Sequence, residues 1–439
     1  MTLSPSRLPL RHRLVLALLY VFLALEVVAG PARFYLAQTS LPALIYLPKL
    51  LIVGVVLASA LRTLYRGRLR PAFAAVLSLF VIFALAGWAF TGNGLQAAFG
   101  IFALLPLVYA VLAEPALRQM GLRIRPYIAL LWCAAALGVA IDARFDVPWT
   151  GLAYQLGDAE IQGSREWTTF GVERVAGFAR ASYEAADQLL LLALPLMFLY
   201  RSHILKLAIW LATGALIYLT TTKKTGGTFL LLTVLLPLMH PAIASTLIRN
   251  AITTTVPIAV AAVGIVLPIS TFFITYRLDL DSVLSQVLFA SFEDRLTVVW
   301  PTSLKLALEH GSAVLGRGIG GIGAAQKHFE PLMFMPADSF YIYLYVTFGL
   351  LAFGLVAVYV GNLVRLDTQG SPWSRMIWAL GVAVLLNGWA NNGLESPITA
   401  SMLGLTLAYA YAAHHSRRAP DRLGGHTSAV STPHRLAAP

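Results

Sequence analysis

One carboxylate stands at the mouth of a long apolar run. In PADSFYIYLYVTFGLLAFG, Pro336 to Gly354, the residues after Asp338 are almost wholly apolar and aromatic. A short acidic residue in that place can cap a helix by accepting backbone N–H bonds, here from Phe340 or Tyr341. It can equally offer an oxygen to a substrate at the water boundary, and the local sequence leaves both roles open. Two stretches carry cations suited to phosphate. GSREWTTFGVERVAGFARASYEAADQ, Gly163 to Gln188, holds Arg165, Arg174 and Arg180, whose planar forked donors match phosphate oxygens and stay charged. Glu166, Glu173 and Glu184 could neutralise them in a solvated loop, but Arg180 directly precedes an apolar helix, where a lipid-borne anion would arrive. TTTKKTGG, Thr220 to Gly227, places Lys223 and Lys224 side by side in a short outer loop, which the positive-inside rule disfavours. A phosphate among Thr hydroxyls and Gly amides would offset that cost, as would snorkelling to lipid headgroups.

A third stretch, Phe292 to Phe329, opens with Arg295. Leu296, Val299, Trp300, Leu304, Ala307 and Leu308 recur at helical spacing, which predicts an amphipathic helix from Arg295 to His310, kinked at Pro301. GRGIGGIG, Gly316 to Gly323, then puts five glycines around Arg317 and Ile319. No strand precedes it, so a dinucleotide site is excluded, and a close-turning loop that brings backbone and Arg317 to a ligand or another helix remains. His310 and His328 are the candidate bases near neutral pH, and their spacing fits no usual zinc motif.

These residues need a scaffold, and composition says which. Hydrophobic residues make up 58% of the 439, charged ones 12%, and the mean hydropathy is +0.74. A soluble domain holds roughly 45–50% apolar residues, so the chain is an integral membrane protein. The fold class is all-α and polytopic. Apolar stretches predict twelve spans, at about 14–30, 41–61, 72–90, 95–113, 126–141, 184–200, 204–221, 227–243, 251–275, 339–361, 376–391 and 397–413. The short loops between Arg62 and Arg125, with Arg66, Arg68, Arg70, Arg118 and Arg123, are arginine-rich, which places them and both termini in the cytoplasm. The net charge of +12 therefore reads as topology, with no call for nucleic acid. Nine helices fill 1–275 with an outer loop at 142–183; a larger outer loop at 276–338 carries short amphipathic helices; three helices fill 339–413; a disordered tail spans 414–439. Cys133 is the single cysteine, so no intramolecular disulfide forms. Glu26 and Lys49 are the main charges inside spans, too few for a transport pathway. Trp149, Trp167, Trp300, Tyr341 and Tyr343 could stack on sugars or sit in interfacial belts.

The order of these motifs resembles the O-antigen ligase and O-antigen polymerase (Wzy-type) superfamily of bacterial polysaccharide-assembly membrane proteins. RASYEAADQLLLLALPL, TTTKKTGG, the late loop from DRLTVVW to GRGIGGIG, and DSFYIYLYVTFG carry it, across roughly residues 160 to 360. The resemblance implies a GT-C-like fold in the bacterial inner membrane and a glycosyltransferase active site facing the periplasm, with no cofactor and no catalytic metal. Its substrate would be an oligosaccharide on undecaprenyl pyrophosphate, among membrane lipids, with a chain-length regulator or flippase as further candidate partners. By resemblance, Arg180, Lys223, Lys224, Arg277, Arg295 and Arg317 would hold pyrophosphate, and Asp338 and His310 would serve catalysis. Ligases carry a histidine, ten residues and a glycine at the head of the late span; here Asp338 and Gly349 keep that spacing with a carboxylate in place of imidazole. That departure favours a polymerase over a ligase that transfers to lipid A-core. A lipid-linked oligosaccharide flippase is the non-enzymatic alternative.

Overall fold

The computed structural model describes residues 9–39, 41–66, 71–156, 159–166, 168–169, 172–278 and 280–416. Arg68, Arg70, Trp167 and the tail from 417 onward lie outside the described residues. The apolar runs fold as helices, which hold 75% of the described residues. In chain order they are α1 (Leu10–Val27), α2 (Ala29–Ala37), α3 (Leu47–Arg66), α4 (Pro71–Thr91), α5 (Gly94–Met120) and α6 (Arg125–Asp142). Two small hairpins follow, β1 (Ala153–Leu156) with β2 (Ala159–Gln162) and β3 (Thr168–Thr169) with β4 (Val172–Glu173), both antiparallel. Then come α7 (Ser182–Leu199), α8 (His203–Leu219), α9 (Lys223–Leu238), α10 (Thr246–Ser270), α11 (Val283–Asp294), α12 (Trp300–Glu309) and α13 (Ala324–Phe329). The chain closes with α14 (Phe340–Phe348), α15 (Leu351–Val364), α16 (Pro372–Asn387) and α17 (Pro397–Ser416).

Each of the twelve predicted spans falls mostly on helix. Among the described residues, five helical segments are long and apolar enough to cross a membrane, or six if α1 and α2, bent by 82°, count as one. The others are shorter or less apolar. Leu85, Ile204, Leu211, Leu247 and Val266 are exposed on helix surfaces, an apolar exterior that lipid accepts and water does not. The core lies on α7, whose residues from Ala185 to Leu196 are all buried, with Tyr109 of α5, Trp378 of α16 and Ala400 of α17 around it.

Two expected elements take a different form. The span predicted at 339–361 is two helices, α14 and α15, because Gly349 ends the first with φ +58°. A Cβ there would meet the Val314 carbonyl at 2.2 Å, so only glycine lets the glycine-rich loop reach this break. The helix predicted from Arg295 to His310 is instead a π-helical turn, Arg295–Val299, leading into α12. The π turn widens the backbone immediately before Pro301, which lies in the first turn of α12.

The glycine-rich loop is a packing wedge. Arg317 N–H donates to the Val346 carbonyl at 2.6 Å, Gly318 N–H to Thr347 at 3.1 Å and Ile319 N–H to Phe83 at 2.7 Å, joining α14 to α4. Gly318 has φ +75°, and a Cβ on it would lie 2.0 Å from the backbone N of Gly87. Gly318→Ala therefore costs about 1–2 kcal/mol from its left-handed backbone, before a backbone clash that no rotamer relieves. The expected outcome is a much smaller monodisperse peak in fluorescence-detected size-exclusion chromatography.

Candidate functional site

Asp338 does not cap α14. The N-cap is Ser339, without a side-chain cap bond, and the Phe340 N–H donates to the Gly388 carbonyl at 2.8 Å. The carboxylate is thereby left for other work. Its Oδ2 lies 3.3 Å from Arg295 Nη2, with 41% of the Asp338 side chain exposed. Oδ1 has no hydrogen-bond partner among the described residues. Arg295 is held from behind by Ser291, whose carbonyl accepts from Nη1 at 2.6 Å and whose hydroxyl lies at 3.1 Å. Two more cations stand within electrostatic reach of Arg295. Burial first, and then Arg295, lowers the Arg174 guanidinium; burial, Arg174 and Arg295 lower the Lys223 amine. One carboxylate thus meets the field of cations from the end of β4, the start of α9 and the π turn.

Lys224, next to Lys223, faces a different partner. Thr221 takes a φ of 53° and closes a tight turn ahead of α9. Lys224 Nζ then lies 2.7 Å from Asp187 Oδ2, both side chains being largely shielded. Asp187 Oδ1 accepts from Thr225 Oγ1 at 2.7 Å and from Asn387 Nδ2 at 3.0 Å, and Oδ2 from Asn391 Nδ2 at 3.4 Å. Thr228 Oγ1 closes the network on Asn387 Oδ1 at 2.7 Å. This ties α7 to α9 and α16. The glycines of TTTKKTGG, expected as phosphate donors, lie inside α9, so their amides serve the helix ladder.

Arg180 sits at the end of a clamped segment. Asp142 Oδ2 accepts the amides of Ala176 and Gly177 at 2.8 and 2.6 Å, Trp149 Nε1 donates to the Gly177 carbonyl at 2.8 Å, and Gly30 N–H donates to Phe178 at 2.8 Å. That last bond brings the α1–α2 elbow against the residues immediately before Arg180. One turn beyond Gly30 is Arg33, 8% exposed, and Lys49 of α3 shares the electrostatic neighbourhood of both arginines. Glu184 nearby holds the Arg180 guanidinium above its ordinary range against the burial that opposes it. Arg33 was not among the sequence candidates, because nothing local to GPARFYLA separates it from a headgroup-facing arginine.

Glu395, between α16 and α17, borders the same region and was also missed. Its oxygens accept the Ala324 N–H at 3.0 Å and the Tyr343 hydroxyl at 3.3 Å. The side chain keeps some accessible surface although protein surrounds it. Burial pushes its carboxyl up to about 7, with the Ala324 amide, Tyr343, Lys49 and Asn392 pulling the other way. The folded protein therefore binds more protons than the unfolded chain between the ordinary carboxylate range and neutrality. Stability from this group is fully present below about pH 4.5 and is lost as pH rises through about 7. Glu395→Gln is expected to flatten that decline in melting temperature, read by intrinsic fluorescence of the detergent-solubilised protein.

The remaining candidates lie elsewhere. Arg317 is 2% exposed and committed to the fold: Nη1 and Nη2 hold Glu330 at 3.1 and 2.9 Å, Nη1 the Gly321 carbonyl at 2.6 Å, and Nε the His310 carbonyl at 3.1 Å. It is part of the packing wedge, and its expected pyrophosphate role finds no free face. Arg277 is exposed in the loop after α10. His310 is exposed at the end of α12, and its imidazole has no partner among the described residues; His328 stacks on Phe99 at 5.9 Å. Trp149, Trp300, Tyr341 and Tyr343 are buried, so they are core residues with no sugar-facing ring. No family model matches the chain, and comparison with curated proteins finds no significant relative.

Proposed function

We propose that the chain is a polysaccharide polymerase of the bacterial inner membrane, with both termini cytoplasmic and its active site at the periplasmic face. It transfers a glycan from undecaprenyl pyrophosphate onto a lipid-linked repeat unit, as a metal-independent glycosyltransferase. The observation that carries this reading is the Asp338–Arg295 pair with Arg174 and Lys223 near it. In the transfer, an acceptor hydroxyl oxygen bonds to the anomeric carbon and its proton passes to a carboxylate oxygen of Asp338. The anomeric carbon's bond to the pyrophosphate oxygen breaks, and the departing oxygen keeps the electron pair. The cations stabilise that growing charge where it develops, which is the term of largest expected weight. The mostly helical structure, with five or six helical segments long and apolar enough to cross a membrane, is compatible with the all-α, GT-C-like fold that the resemblance implies, and the motif order supports the same reading.

The test is incubation of the purified protein with lipid-linked repeat units alone. A ladder of longer lipid-linked glycans is expected. No ladder, with transfer once lipid A-core is supplied, would assign a ligase; translocation in liposomes without a new glycosidic bond would reject both enzymes.

A further inference from the structure

Three cations come together without a side-chain hydrogen bond or ion pair among the described residues. Arg33 on α2, Lys49 on α3 and Arg180 before α7 lie within electrostatic reach of one another. The Nε atoms of Arg33 and Arg180 are buried and lack a hydrogen-bond partner. Among the described residues, neither guanidinium makes a hydrogen bond or an ion pair through its side chain, and Lys49 contacts only the face of Phe102, 4.9 Å from the ring centroid. Glu26 and Glu184 supply opposite charge, but at distances beyond ion pairing. Arg180 and Lys49 each keep some accessible surface through which an anion could reach them.

Glu184 favours the charge on Arg180, but Arg33 stays a buried guanidinium with an unpartnered Nε beside Lys49 and Arg180. Gathering like charges away from water without hydrogen-bonded partners is unfavourable, and one bound anion offsets it. The Gly30–Phe178 bond joins the backbone segments that carry the two arginines, and Asp142 and Trp149 clamp the second of them. The geometry points to a second lipid-pyrophosphate site, formed by Arg33, Lys49 and Arg180, that holds the acceptor lipid while the Asp338 site holds the donor. The assignment to an acceptor rests on the polymerase reading. The donor's pyrophosphate must leave beside the carboxylate and its cations. The acceptor's attacking hydroxyl lies at the far end of its repeat unit, so its pyrophosphate must be held away from the reacting carbon, in a separate basic site. A phosphodiester headgroup of bulk phospholipid offers similar chemistry, and the experiment separates the two.

Native mass spectrometry of the full-length protein with undecaprenyl pyrophosphate should show two bound lipids per chain. Arg33→Gln and Lys49→Gln, made separately, should each weaken the second equivalent at least about tenfold while keeping the first. Arg33→Lys, which retains the charge, should keep both. Phosphatidylglycerol and inorganic pyrophosphate should leave the second lipid in place. A single equivalent on the unaltered protein overturns the proposal, as does a second equivalent unchanged in both glutamine variants or displaced by phosphatidylglycerol. Two equivalents without any ladder from lipid-linked repeats would keep the site and sink the polymerase; a ladder with one equivalent would do the reverse.

Discussion

Asp338→Asn is expected to slow glycan transfer by about 10²–10⁴-fold, the range for loss of a general base, while leaving the folded protein close to intact. Asparagine has nearly the shape of aspartate and can still accept a bond from Arg295. What it loses is the ability to take a proton. Capping is not at stake, because α14 begins at Ser339 and the Phe340 amide is satisfied by Gly388. The ion pair to Arg295 is partly exposed, and pairs of that kind contribute about 0.2–1 kcal/mol. The rate of ladder extension and the melting temperature, measured on the same preparation, separate the two effects. An undiminished rate would leave Asp338 only as a tether for Arg295 and end its candidacy as the base.

Much of the scaffold was legible because apolar run length is a direct readout of helix in a membrane. The breaks were not. Nothing in YIYLYVTFGLLAFG distinguishes a glycine inside a helix from Gly349, which ends one, since the reason lies at Val314, far along the chain. The loop around Arg317 left two readings open for a similar cause: glycines that let backbone approach a phosphate also let it approach another backbone, and here they meet Gly87 and Gln96. Asp338, Arg295 and Lys223 were visible as candidates because each stands at a polar boundary of an apolar element. Arg33 and Glu395 gain their neighbours through an 82° elbow and through packing of α13 on the α16–α17 turn, which no local pattern encodes.

The Lys223–Lys224 pair shows how the structure divides one motif into two tasks, and Asp187 is where to test it. Asp187 is 1% exposed and accepts from Lys224, Thr225, Asn387 and Asn391. Asp187→Ala strands a shielded ammonium and several donors at once, and breaking a buried pair by removing one partner costs about 3–5 kcal/mol. The expected result is a melting temperature lower by several degrees and a poor folded yield. Exchanging both partners for apolar residues of similar volume is often neutral, because the desolvation penalty disappears along with the attraction. Asp187→Leu with Lys224→Met should therefore recover most of the stability lost in the single variant. If Lys224 only ties α7 to α9 and α16, the double variant should also keep glycan transfer within about tenfold, whereas Lys223→Met, which removes a cation near Arg295, should lose more. A double variant that is stable but inactive would return Lys224 to the pyrophosphate.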